Sequence, residues 1–147
     1  MRLRAACSIG LLVAGALAGC ASNGVPGESA PGRASPGNEE GRVRYVALGD
    51  SYSIGTAVTE AERWPNQLAA RIGDIEVVAN LGVNGYTSAD LITDQLPRLD
   101  ELRPELVSLL IGVNDVVQGV PDANYAVNVA HILDDLIGRL ARDRIVC

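Results

Sequence analysis

The sequence predicts an α/β domain over residues 42–147, a three-layer, doubly wound parallel sheet that is incomplete at its C-terminal end. Three observations lead there. Short apolar, β-branched runs alternate with longer stretches of helical periodicity, the pattern of repeated β-α units. Leu106 to Ile111 is almost continuously apolar, as expected of a strand covered on both faces. Each of the first three strand-like runs is followed by a loop rich in Gly, Asn and Ser, at the edge where open parallel sheets hold their ligands.

The elements follow in order. Val43 to Leu48 reads as the first strand. A helix is expected from Ala61 to Ile72, with Trp64, Leu68 and Ile72 on one face and Gly73 as its stop. Ile75 to Asn80 reads as the second strand. Thr87-x-x-Asp90 has the form of an N-terminal cap for a helix carrying Leu91, Ile92 and Leu96, which Pro97 ends or kinks. Leu106 to Ile111 is the third strand, and Pro121-Asp122 opens a long helix. Tyr125, Val129, Ile132, Leu133, Leu136 and Leu140 fall on its inner face. Arg144 to Cys147 begins a fourth strand.

The core available to these elements is aliphatic: hydrophobic residues make up 48% of the 147, aromatics only 3%, and Phe is absent. The net charge of −6 rests on residues 42–147, because three Arg and three Glu cancel in residues 1–41. An acidic domain with no basic stripe repels a polyanion, which argues against nucleic-acid binding.

Residues 1–41 read as an address and a tether. Arg2 and Arg4 precede an apolar run from Ile9 to Ala18, too short for a membrane span of ~20 residues but suited to a secretory signal. Leu17-Ala18-Gly19-Cys20 then looks like a bacterial lipobox, which implies cleavage after residue 19 and lipidation of Cys20. Two or more acyl chains anchor stably where one does not. Residues 20–41 are small, polar and Pro-rich, with Pro26, Pro31 and Pro36 evenly spread, and form a linker. The expected location is therefore extracytoplasmic, lipid-anchored to a bacterial membrane. Only Cys20 and Cys147 would survive cleavage, so no disulfide framework is expected.

Three loops carry the chemistry. The first is Gly49-Asp50-Ser51-Tyr52-Ser53-Ile54-Gly55, in which a serine directly after a strand has its hydroxyl at the sheet edge. It is not the Gly-x-Ser-x-Gly elbow, since Ser53 stands at the second glycine position. Neither Gly-x-Gly-x-x-Gly nor a Walker lysine is present. The second loop, Asn80-Leu81-Gly82-Val83-Asn84-Gly85-Tyr86-Thr87, has two glycines three apart that let backbone approach a ligand. The third, Gly112-Val113-Asn114-Asp115, brings an amide able to meet a developing oxyanion.

Together these blocks resemble the SGNH hydrolase family, also called GDSL esterases, with its Gly-Asp-Ser, its second-block glycine and its Gly-x-Asn-Asp in order. Trp64-Pro65 with Leu68-Ala69 is similar to the family's first helix. The resemblance runs from about Val43 to Cys147 and implies a flavodoxin-like hydrolase fold. It implies Ser51 as nucleophile, the Ser51 and Gly85 N–H groups as oxyanion donors, with Gly82 the alternative to Gly85, and the Asn114 side chain as a further donor. Asp50 and Asp115 match positions that brace these loops. The implied reaction is hydrolysis of carboxylic esters (lipid, lysophospholipid, thioester or acetylated sugar) through an acyl-Ser51 intermediate, by a monomer that uses no cofactor and no metal.

A serine nucleophile needs a base. The one histidine, His131, does not fit the family's Asp-x-x-His block, because Asn128 stands three residues before it. Helical spacing also turns His131 away from the inner face, and Asp134 and Asp135 read as solvated neighbours. The expectation is that the chain stops before that block and does not turn over esters by itself. Two other readings stay open: a catalytically inactive ligand-binding lipoprotein on the same scaffold, and a flavodoxin-like ligand-binding domain.

Overall fold

The computed structural model describes residues 41–147. The signal segment, Cys20 and nearly all of the linker lie outside the described residues. Four strands form one all-parallel sheet in the order β2-β1-β3-β4: β1 Val43–Gly49, β2 Ile75–Asn80, β3 Leu106–Leu110 and β4 Ile145–Val146. The switch from β2 to β3 across β1 makes the upper end of β1 a topological switch point, the place where such sheets bind ligands.

The strands form where the sequence places apolar, β-branched runs, and register sorts their side chains. Tyr45, Ala47 and Gly49 pair with Leu106, Ser108 and Leu110 on one face, and Val46 and Leu48 with Val107 and Leu109 on the other. The second set makes the main core with Leu81, Leu91, Leu96, Leu99, Ile132 and Leu136. On the first face the buried Tyr45 hydroxyl is satisfied by Ser108 Oγ at 2.6 Å, and burial pushes its pKa up.

Among the described residues six α-helices, numbered α1 to α6, surround the sheet. α1 is the single turn Ser51–Ile54, and α2 is Trp64–Ile72, stopped by Gly73. The expected helix from Ala61 is interrupted: a 3-10 turn over Glu60–Glu62 precedes Arg63, which is extended, and the helix restarts at Trp64 with Pro65 in its first turn. Proline lacks an N–H and is at home only in a first turn, so it sets the true start.

The segment after β2 begins at Thr87 as expected. Thr87 Oγ1 and Asp90 exchange the hydrogen bonds of a capping box around α3, Ser88–Asp90. Pro97 does not end it; the backbone widens over Leu91–Gln95, tightens over Leu96–Arg98 and continues as α4, Leu99–Leu102. α5, Val113–Val117, follows β3 directly. α6, Asp122–Arg139, buries Ile132 and Leu136 and half-buries Tyr125, Val129, Leu133 and Leu140. Arg139 holds Asp135 at 2.6 Å and Asp100 as well, tying α6 to α4. No helix among the described residues is long and apolar enough to cross a membrane.

Candidate active site

Ser51 opens α1 immediately past the end of β1. Asp50 caps that turn, its Oδ1 accepting from Tyr52 N–H at 2.9 Å, while its buried Oδ2 has no partner. As the first helical residue Ser51 has no intrahelical partner for its N–H, and none is found for it elsewhere among the described residues. Its side chain is half-buried. Ser53 is a different kind of serine. It is fully buried, and its hydroxyl donates to Leu48 O at 3.2 Å.

The strand end beneath Ser51 is held rigidly. Gly49 lies so close to β3 and α1 that a Cβ there would overlap Leu110 O and Ser53 Oγ. The buried Gln95 amide accepts from Gly49 N–H at 3.0 Å and donates to Gly49 O at 2.8 Å. Gln95 escaped the sequence reading, although a polar residue one turn after Leu91 on an inward face was a signal for it.

The second loop separates its two glycines. Gly82 N–H is taken by Asn80 Oδ1 at 3.1 Å, and a Cβ at Gly82 would press on Ile54 N at 2.6 Å and Asp50 O at 2.7 Å. It is a packing glycine. Gly85 is exposed, has φ 80°, and its N–H finds no partner among the described residues. Of the two, only Gly85 keeps a donor free.

Asn114 lies on α5 past the end of β3, and its Nδ2 donates to Tyr86 O at 2.9 Å. One of the two amide hydrogens is thereby used and the other is open. The neighbouring Gln118 Nε2 donates to Gly85 O at 2.8 Å, so α5 grips the second loop twice. Asp115 is buried beneath and accepts from Ser88 N at 2.8 Å and Ser88 Oγ at 2.5 Å. Asn128 of α6 donates to the same Ser88 Oγ at 2.9 Å. This chain fixes the Gly85 loop against the Asn114 turn, and Ser88 and Asn128 belong to it although the sequence reading gave neither that role. A buried carboxylate with two such donors is well satisfied and geometrically stiff. Asn128 thus points inward, and His131 is exposed on α6.

Ser51, Gly85 and Asn114 therefore stand at the C-terminal ends of the adjacent strands β1, β2 and β3. Two backbone N–H groups, one side-chain amide and one hydroxyl thus lie on the loops that leave the ends of these neighbouring strands. Such an arrangement can hold a carbonyl oxygen and stabilise it as it gains charge. No cluster of three or more potential metal ligands occurs among the described residues. Cys147 is exposed and unpaired with another cysteine among them.

Comparison with known proteins gives a consistent picture. Residues 47–147 match the model of the GDSL-like Lipase/Acylhydrolase family. The structure is similar to TesA, with 30% identity and a TM-score of 0.53 over 59% of this chain and 50% of that one. It is similar to AlinE4, an SGNH-hydrolase family esterase, with 28% identity and a TM-score of 0.55 over 67% of this chain and 55% of that one. It shares the fold of the psychrotrophic esterase EstA from Pseudoalteromonas sp., at 23% identity and a TM-score of 0.52, over 59% of this chain and 49% of that one. The chain thus spans about half the length of these structures. No curated protein matches it.

Proposed function

The chain belongs to the GDSL-like lipase/acylhydrolase family, and from that membership we propose that it carries the nucleophile and oxyanion donors of a serine ester hydrolase. The observation that supports this reading most is the pair of N–H groups without partners, on Ser51 and Gly85, flanking the strand ends that also bring Asn114.

The chemistry runs as follows. Ser51 Oγ attacks the ester carbonyl carbon as a base removes its proton, and the carbonyl π electrons move onto oxygen. Ser51 N–H, Gly85 N–H and the free Asn114 Nδ2 hydrogen receive that oxyanion. The C–O bond to the alcohol then breaks, the base returns its proton to the departing oxygen, and Ser51 is left acylated. Water repeats the sequence and frees the acid. The base would be the histidine of an Asp-x-x-His block, a pair that the exposed His131 and inward Asn128 do not form. The substrates fall among lipid, lysophospholipid, thioester and acetylated-sugar esters. Cys20 carries the lipid that anchors the enzyme outside the cytoplasm.

A second reading, an inactive ligand-binding lipoprotein, is favoured by one observation: the chain's single histidine is not at the site. One experiment separates the two. In the intact protein Ser51→Ala should abolish hydrolysis of short-chain aryl esters, while Ser53→Ala retains most of it. Wild-type protein without esterase activity would favour the binding reading.

A further inference from the structure

We propose that Gln95 is a positioning residue for the nucleophile: its buried amide takes the place of a strand that has ended and fixes the Gly49 peptide groups that lead into Ser51. The proposal rests on Ser51 being the nucleophile. β2 last pairs with β1 at Asn80 and Ala47, two residues short of Gly49. The Gly49 N–H and C=O thus have no partner on β2, and a buried peptide group left that way is destabilising. Gln95 supplies both bonds. Its Oε1 accepts from Gly49 N–H at 3.0 Å and its Nε2 donates to Gly49 O at 2.8 Å, as the peptide groups of a neighbouring strand would. The same Gly49 O also accepts from Val83 N–H at 3.3 Å. One carbonyl therefore joins the strand beneath Ser51, the Gln95 segment and the loop that carries Gly85.

An irregularity of the backbone brings Gln95 to this place. Leu91, Gln95, Leu96 and Leu99 are all buried. At the usual 3.6 residues per turn Leu91 and Leu96 would stand about 140° apart around a helix. The widened turn over Leu91–Gln95, closed by Leu96 N–H on Leu91 O, lets Gln95 and Leu96 both face inward. Widened turns of this kind are rare and gather at functional sites. Leu96 joins the apolar core, whereas Gln95 carries an amide into it, which is unfavourable unless the amide is bonded. Both its oxygen and its nitrogen are bonded to Gly49. Gly49 needs such a hold. Its φ of 148° lies where glycine moves freely, so bonds from outside must select one conformation. Two residues later Ser51 presents both the attacking hydroxyl and an oxyanion N–H. A misplacement of about 1 Å in such a group lowers a rate by up to roughly 10²-fold.

The test compares the intact wild-type protein with Gln95→Met, Gln95→Glu and a control, Tyr45→Phe. The control removes another buried hydrogen bond of β1, from Tyr45 to Ser108 at 2.6 Å. The readouts, per folded molecule and from about pH 5 to 9, are kcat and KM for p-nitrophenyl acetate, the rate of fluorophosphonate labelling at Ser51, and the melting temperature. Gln95→Met fills the same space without the amide. It should lower kcat and the labelling rate about tenfold or more, with KM little changed, at temperatures well below its melt. Tyr45→Phe should lower the melting temperature and leave both rates within about twofold of wild type. In Gln95→Glu the protonated carboxyl offers the same donor and acceptor as the amide, and burial raises its pKa. Once ionised it loses the donor and repels Gly49 O. Its rates relative to wild type should therefore be highest at the acidic end and fall as pH rises, whereas the Gln95→Met ratio stays constant. If Gln95→Met does not fold, this pH dependence carries the test. Rates within about twofold of wild type in every folded Gln95 variant across the range would overturn the proposal, and so would an equal loss in Tyr45→Phe. A wild type neither labelled at Ser51 nor active would instead refute the Ser51 reading, and this proposal with it.

Discussion

Replacing Asn114 by alanine separates a catalytic donor from a loop brace. Asn114 has two amide hydrogens, and one is bound to Tyr86 O at 2.9 Å. Losing that bond between half-buried groups should cost folding stability about 0.5–1.5 kcal/mol, nearer the low end. The other hydrogen has its partner only when the oxyanion forms. Its loss should lower kcat by roughly 10²–10³, or about 2.7–4 kcal/mol, with little change in KM. Gln118→Ala is the matched control, because Gln118 braces the same loop through Gly85 O at 2.8 Å. That variant should lose a similar bond yet keep kcat near wild type. The assay is steady-state hydrolysis of a short-chain aryl ester by the intact protein, with thermal melts of each variant. Near-normal kcat in Asn114→Ala, or an equal loss in Gln118→Ala, would show that Asn114 only holds the loop.

Cys20→Ala should leave the signal uncut or release the protein, read by membrane fractionation and lipid labelling; wild type wholly in the medium without label would reject the anchor. The capping box at Thr87 makes a pH prediction. Hydrogen bonds from the Thr87 hydroxyl and N–H hold the Asp90 carboxyl below its usual range. A pKa lowered by folding contributes stability above the unfolded value of about 3.9, and loses it as pH falls through the folded value. Thr87→Ala should therefore destabilise by about 1 kcal/mol at pH 7, and the gap to wild type should narrow below about pH 4. An equal gap at pH 3 and pH 7 would count against the charged cap.

Local signals in the sequence were faithful where local physics decides. The strand Ile75 to Asn80, the cap at Thr87, the stop at Gly73 and the start of α6 at Asp122 all stand where periodicity and capping put them. The break at Arg63 was visible in Pro65 but outweighed by the Trp64, Leu68 and Ile72 spacing. Of the two outcomes expected at Pro97, an end or a kink, the helix does not end: it changes from a widened turn over Leu91–Gln95 to a tight one over Leu96–Arg98, with Leu96 and Leu99 kept in the core. The site's supports were least legible. Gln95 on Gly49 and Asn128 on Ser88 join residues 46 and 40 positions apart, and no local pattern encodes such pairings. The choice between Gly82 and Gly85 likewise needed the Asn80 side chain in place.

The central claim is that Ser51 is the nucleophile, and covalent labelling tests it most directly. The intact protein treated with a fluorophosphonate probe, digested and mapped by mass spectrometry should carry a single adduct on Ser51. Ser51→Ala should abolish it and Ser53→Ala should not. Ser53 is buried and bonded to Leu48 O, so it should stay unmodified. An adduct on Ser53 or on any other residue, with Ser51 unmodified, would contradict the account.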